Sequence, residues 1–173
     1  GGGDYSAEGL VMGKEQAMAV IGLGANLGER EENIRRALEA VTALPYTRVR
    51  RVAPFYETEP VGYLDQPQFI NTAAEVETGL SPRAFLGACL GIEAGLGRVR
   101  TFRNAPRVVD IDLLVMEGVR MEEEELTLPH PRMAERAFGL MPLEALYPDG
   151  LVLGFDFSEN MKQIQREGVR LLR

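Results

Sequence analysis

Four strand-like runs separated by two helical patterns are the feature that most constrains this chain. Met18 to Leu23 is a short apolar run ending in glycines, and after it Ile34, Ala37, Leu38, Val41 and Leu44 recur at helical spacing. The spacing predicts a helix over about Glu31 to Leu44, with Glu31 and Glu32 at the positive end of its dipole and Pro45 stopping it. A strand over about Thr47 to Tyr56 follows, then the connection TEPVGYLDQPQ and a third strand from Phe69 to Thr78. Ser81-Pro82 reads as a helix N-cap and first helical residue. In that helix Phe85, Cys89, Ile92 and Leu96 share one face, and Gly97 is placed to end it. Gly87, Gly91 and Gly95 lie inside it, each costing about 1 kcal/mol against alanine, which predicts close packing or flexibility there. The fourth strand covers about Val108 to Met116.

The order strand, helix, strand, strand, helix, strand predicts an α+β fold, a ferredoxin-like antiparallel sheet with both helices packed on one face. The other face is left for a ligand or another layer. Further on come an acidic stretch (Glu122 to Glu125), a helix from about Pro131 to Leu146, a Pro-Asp-Gly turn and a terminal helix from Ser158, so additional C-terminal helices are expected. The 173 residues, 45% of them hydrophobic, suit one domain, expected over 17–173, while 1–16 open on three glycines and read as a leader. No apolar run of about 18 residues and no signal-peptide order occurs, so no membrane and a cytoplasmic location are expected. A net charge of -7 argues against nucleic acid as a partner. The single Cys89 falls on an apolar helical position and reads as a small buried hydrophobe.

Within the apolar run VVDIDLLV, Asp110 and Asp112 break the pattern at alternate positions. Val109, Ile111, Leu113 and Val115 then fill the core while both carboxylates project from the opposite face. Side by side they would repel each other unless a divalent cation intervened, and Mg²⁺ favours a few carboxylates completed by water and phosphate. Solvated carboxylates, or carboxylates paired with arginine, are the plain alternative. Arg98, Arg100, Arg103 and Arg107 lie close together without an acidic residue among them, a local phosphate-type site in an acidic protein. Pairing of these arginines with Glu122 to Glu125 is the other reading.

In the third strand Ile70, Thr72, Ala74 and Val76 occupy one face and Phe69, Asn71 and Ala73 the other. Phe69 and Asn71 would share the face of the aspartates, where an aromatic ring and an amide suit a flat heterocycle; as ordinary strand residues they need no ligand. His130, between two prolines, cannot build a zinc site without partners; it is available for hydrogen bonding to phosphate or for a structural role. The segment GLGANLG lacks the spacing and the acidic residue of a dinucleotide fold, so its glycines more simply let a ligand approach backbone.

Taken in order, GLGANLG, FYETEPVGYLDQPQFIN, IEAGLGRVR, APRVVDIDLL, LTLPHPRMAERAF and PL with YPDG make the chain from about Ala19 to Gly150 resemble 6-hydroxymethyl-7,8-dihydropterin pyrophosphokinase. The resemblance implies transfer of the β,γ-pyrophosphoryl group of ATP to the pterin hydroxymethyl oxygen, with release of AMP, on the route to folate. It implies two Mg²⁺ ions on Asp110 and Asp112, and a catalytic set of those aspartates with Arg98 and Arg100. Glu93, Arg98, Arg100, Arg107, Leu113, Thr127, His130 and Arg136 would lie at ATP. Gly24, Thr58, Val61, Phe69, Asn71 and Phe138 would form the pterin pocket, with the two phenylalanines on opposite ring faces. The chain departs from the family's pattern at Glu59, where proline is frequent, at Leu90, where a polar residue is common, and at Glu125, where arginine can occur. The partners so implied are ATP and the hydroxymethyldihydropterin, with a monomer expected and a dimer left open. From the residues alone, a nucleotide-binding module without catalysis and a two-metal nuclease remain as alternatives.

Overall fold

The computed structural model describes residues 15–59, 65–97, 108–133 and 137–173, with backbone alone at 137 and 138. The leader expected over 1–16 lies almost wholly outside the described residues.

Strand β1 (Ala17–Ala25) is central, pairing antiparallel with β4 (Phe69–Thr78) on one side and β5 (Asp110–Met116) on the other. The far edge of β4 carries β2 (Thr47–Val52) and then β3 (Tyr56–Thr58), with a break at 53–55 where Pro54 offers no N–H to a ladder. The single second strand expected over Thr47 to Tyr56 is therefore two. Helix α1 (Arg30–Thr42) buries Ile34, Ala37 and Val41. Helix α2 (Pro82–Gly95) starts where Ser81 Oγ accepts the N–H of Ala84 at 3.2 Å, and it buries Phe85, Cys89 and Glu93. Both helices pack on Ala19, Ile21, Leu23, Ile70, Ala74 and Val76, one face of the sheet. Burial beside Glu93 and Asp112 pushes the Cys89 thiol up to about 12, so it stays protonated, as a packing residue should.

The opposite face is not left open throughout. Helix α3 (Ala137–Leu146) lays Leu140, Leu143 and Leu146 on Val20, Ala73, Leu114 and Val115 as a further layer, while α1 and α2 keep to one face as expected. Val115 belongs to this second core, contrary to the alternation read from sequence. Val20 pairs with Val115 and Ile21 with Leu113, so Leu114 is an extra residue, and one extra residue inverts the side-chain parity of everything after it.

The C-terminal region holds both expected helices, ending at Leu146 and starting at Ser158, together with short strands the sequence did not indicate. The turn at 131–133 precedes α3, and short β6 (Met121–Glu122) pairs with β7 (Thr127–Leu128) before it. After α3 come a hairpin of β8 (Leu151–Val152) and β9 (Phe155–Asp156), a six-residue helix α4 (Ser158–Gln163) and a last strand, β10 (Val169–Leu171). That strand pairs antiparallel with β3 and completes a six-stranded sheet in the order β10-β3-β4-β1-β5, with β2 also on β4. Among the described residues the three glycines of α2 meet no close packing: a Cβ at Gly87, Gly91 or Gly95 would have none of them within 4 Å. Among the described residues no helix is long and apolar enough to cross a membrane.

Candidate active site

Along one row of the sheet Asn71, Gly24 and Asp110 stand directly opposite one another, and in the next row Ala73, Gly22 and Asp112 do. Residues directly paired in an antiparallel ladder project on the same face, so the two aspartates and the amide share the face that α3 covers only in part. The glycines between them keep that floor free of side chains. At Gly24 the room this leaves is taken by the neighbouring Asn71 amide: a Cβ there would come within 2.7 Å of Asn71 Oδ1. Over this floor lies a cleft of about 620 Å³, within the usual range of small-molecule sites.

Of the residues expected at the site, the cleft is lined by Gly24, Thr58, Phe69, Asn71, Glu93, Asp110, Asp112, Leu113, Thr127 and His130. Val61, Arg98, Arg100, Arg107 and Arg136 lie outside the described residues, as does the side chain of Phe138. Leu113 is nearly buried in the core beneath α1 and α2, so it meets the cleft only at its margin. Glu59, Leu90 and Glu125, the three departures from the family pattern, all line the cleft too.

At one end of the cleft Thr58 and Phe69 form the last paired rung of β3 and β4, and Asn71 Nδ2 donates to Thr58 Oγ1 at 2.6 Å. An amide fixed in this way keeps its other edge oriented toward whatever enters. At the other end Glu93, 3% exposed, reaches from α2 to accept the backbone N–H of Ile111 at 2.9 Å. Among the described residues strand β5 is the edge of the sheet, so that N–H has no strand there to receive it, and the carboxylate satisfies it between the two aspartates. The resemblance implies Glu93 only as a nucleotide contact, and helical spacing does not mark it as buried: the strand edge it seals belongs to another element and leaves no signature in the local sequence.

His130 is held by its own backbone, whose N–H donates to Leu114 O at 2.7 Å, while the N–H of Arg132 donates to His130 Nδ1 at 3.2 Å. Burial and the charge of Arg132 push its pKa down against the pull of Asp110. The ring is thus neutral near pH 7, with Nδ1 accepting and Nε2 the donor.

Asp110 and Asp112 supply hard oxygen donors two residues apart on one face, and among the described residues no group of three or more His, Cys, Asp or Glu side chains forms a full metal cage. A two-carboxylate site of this kind suits Mg²⁺, which keeps its remaining positions for water and phosphate oxygens.

A family model described as 7,8-dihydro-6-hydroxymethylpterin-pyrophosphokinase matches residues 20–148. A 2-amino-4-hydroxy-6-hydroxymethyldihydropteridine pyrophosphokinase of Methylorubrum extorquens is 41% identical over 151 residues, covering 87% of this chain and 96% of that protein. The protein of that name in Bacillus subtilis is 44% identical over 126 residues, covering 73% and 75%. Folic acid synthesis protein fol1 of Schizosaccharomyces pombe is 40% identical over 157 residues, which are 89% of this chain and 21% of that longer protein. Among solved structures, a Plasmodium falciparum HPPK-DHPS variant with pterin and p-hydrobenzoate aligns with TM-score 0.65 at 13% identity, covering 91% of this chain and 48% of that one. At that identity the likeness speaks for the fold alone. The match over residues 20–148, and relatives above 40% identity that the chain spans at three quarters of their length or more, settle the classification: this chain belongs to the 7,8-dihydro-6-hydroxymethylpterin-pyrophosphokinase family.

Proposed function

We infer that the chain transfers the pyrophosphoryl group of ATP to 6-hydroxymethyl-7,8-dihydropterin, giving the pterin diphosphate and AMP for folate synthesis. The observation that carries this reading is the meeting, in one cleft, of a carboxylate pair suited to Mg²⁺ with a ring-and-amide wall suited to a flat polar heterocycle.

Phe69, Asn71 and Thr58, over the floor at Gly24, hold the pterin: the ring supplies stacking area and the fixed amide reads a polar edge. Val61 and Phe138 complete that pocket by family resemblance. His130 donates from Nε2 to an oxygen or nitrogen of the nucleotide, and Thr127 beside it offers a hydroxyl. Arg98, Arg100, Arg107 and Arg136 are assigned to the ATP phosphates, where forked donors match phosphate oxygens. Asp110 and Asp112 are the residues that would hold magnesium, two ions in our reading, which when bound supplies neutralising charge to the phosphates. Glu93 fixes the strand from which both aspartates project. Leu113, at the cleft margin, contributes apolar contact near the adenine.

Phosphoryl-type transfer asks little covalent work of a protein, and alignment of the two substrates with electrostatic support accounts for most of the rate. No side chain in the cleft is assigned as a dedicated base. We place the activity in one unit over 17–173, a monomer of the cytoplasm built on a ferredoxin-like core. The strand order β3-β4-β1-β5, with α1 and α2 on one face, supports that core. Incubation with ATP, Mg²⁺ and the reduced hydroxymethylpterin tests the reading: AMP must appear only when all three are present, and its absence would overturn it.

A further inference from the structure

Strand β3 is three residues long and yet supplies one wall of the pterin site. So short a strand makes few ladder bonds, and its last rung, Thr58 opposite Phe69, stands at an open end where a ladder frays first. Both residues of that rung line the cleft. Beyond the β3–β4 ladder, other ties cross this rung.

Arg30, the first residue of α1, supplies one with its guanidinium. Its Nη2 lies 2.9 Å from Glu57 Oε2, on the β3 side of the rung, and its Nη1 donates to the carbonyl oxygen of Gln68 at 2.8 Å, on the β4 side. The arginine therefore ties together the two residues adjacent to Thr58 and Phe69. Glu57 is gripped again from outside by Arg170 of β10, while the ladder between β10 and β3 continues where the N–H of Glu59 donates to Gly168 O at 3.2 Å. Asn26, 1% exposed, adds a neighbouring tie by donating from Nδ2 to Gln66 Oε1 at 2.7 Å and to Pro67 O at 3.1 Å.

Exposure decides which of these bonds matter. The Arg170 side chain is 71% exposed, and an ion pair in that setting contributes little. Glu57 is 11% exposed and Arg30 28%, and a forked guanidinium serving two acceptors loses less entropy per bond than two separate pairs.

We propose that Arg30 is a positioning residue for pterin binding: by bridging Glu57 and Gln68 it sets the separation of Thr58 and Phe69, while touching neither substrate. The inference rests on the pterin reading of the Thr58, Phe69 and Asn71 wall. Its consequence is selective. Loss of Arg30 loosens the pterin wall at one end of the cleft and leaves Asp110, Asp112 and His130 at the other end as they are.

The test uses the full chain carrying Arg30→Met, Arg30→Lys or Glu57→Gln, with pterin affinity read from pterin fluorescence, ATP KM and kcat from AMP formation, and Tm from a thermal melt. Arg30→Met should raise the pterin Kd about threefold to tenfold, with ATP KM changed less than about twofold and kcat at saturating pterin largely kept. Arg30→Lys, which keeps the charge but not the fork, should fall between it and the wild type, and Glu57→Gln, which keeps an acceptor, should be milder than Arg30→Met. An unchanged pterin Kd in Arg30→Met overturns the proposal. So does a parallel loss of pterin affinity, ATP affinity and Tm, because that is general destabilisation and not positioning. Absence of pterin-dependent AMP from the wild-type chain would overturn the reaction itself and this inference with it, so the two failures are told apart by the wild-type measurement.

Discussion

Gly24→Ala adds one methyl group at the centre of the site floor, and the structure says what that methyl meets. Its Cβ would stand 2.7 Å from Asn71 Oδ1, too close for a non-bonded carbon and oxygen, with the Ile70 carbonyl oxygen at 3.7 Å behind. Backbone cannot yield cheaply, so the Asn71 amide must turn. Turning breaks its 2.6 Å bond to Thr58, a loss of about 0.5–1.5 kcal/mol for a neutral hydrogen bond. Against this, alanine in a strand interior is about 0.5–1 kcal/mol better than glycine. The two nearly offset, and Tm should move by only a few degrees.

Affinity has no such compensation. An amide turned away from its ligand leaves a polar partner unpaired, at a cost of about 1–3 kcal/mol, so pterin KM should rise about tenfold or more. Gly22→Ala is the internal control: its Cβ would meet Leu114 Cδ1 at 3.2 Å, the far end of a side chain that can shift, and it lies beside Ala73 and not Asn71. Steady-state AMP formation at saturating ATP and Mg²⁺ with varied pterin, alongside thermal melts, reads both quantities. A Gly24→Ala enzyme with wild-type pterin KM and wild-type Tm would refute the reasoning, since the amide would then have no fixed role.

Asp110→Ala and Asp112→Ala should each abolish turnover with little change in Tm, because both side chains leave the sheet on the cleft face and neither fills a core; residual activity near wild type in either would remove it from the metal site. Glu93→Leu should cost about 1–3 kcal/mol of stability by orphaning the Ile111 N–H, while Glu93→Gln, which retains an acceptor oxygen, should lose much less in a urea melt. Gly87→Ala should stabilise the protein by up to about 1 kcal/mol without touching activity, since its Cβ enters open space on an ordinary helix; a drop in Tm would point to packing there after all. Glu75, bonded by Arg51 and by Tyr147 against the opposing push of burial, is held below its ordinary 4.5. Its contribution to stability is therefore complete above 4.5 and lost as pH falls through the depressed value, so the acid-side decline of Tm should be shallower in Glu75→Gln.

Much of the fold was legible because its local periods are strong. The alternation of Ile70, Ala74 and Val76 against Asn71 and Ala73 assigned both faces of β4 correctly, and Ser81-Pro82 marked the start of α2 to the residue. The carboxylate pair and the strand that presents it were equally plain, since two aspartates at alternate positions of an apolar run have one face available to them. By contrast, β2 and β3 read as one strand, because the break at Pro54 is decided by where Ala53 and Phe55 find partners: the N–H of Ala53 donates to Ala73 O and that of Phe55 to Arg173 O.

By itself the sequence determined the elements that carry their own period, the acidic and arginine-rich segments, and a string of motifs sufficient to place the chain in its family. Only the tertiary structure decided the bulge that sends Val115 to the opposite core, the packing of helix α3 over part of the ligand face, and the last strand that reads locally as nothing in particular. It also decided the duties of Glu93 and Arg30, one sealing an edge strand and the other clasping the two sides of a hairpin. The physical reason is common to all of these. A period is written by neighbours within a few residues, whereas an orphan N–H, an extra residue in a ladder or a shared guanidinium is satisfied by a partner that folding alone brings near.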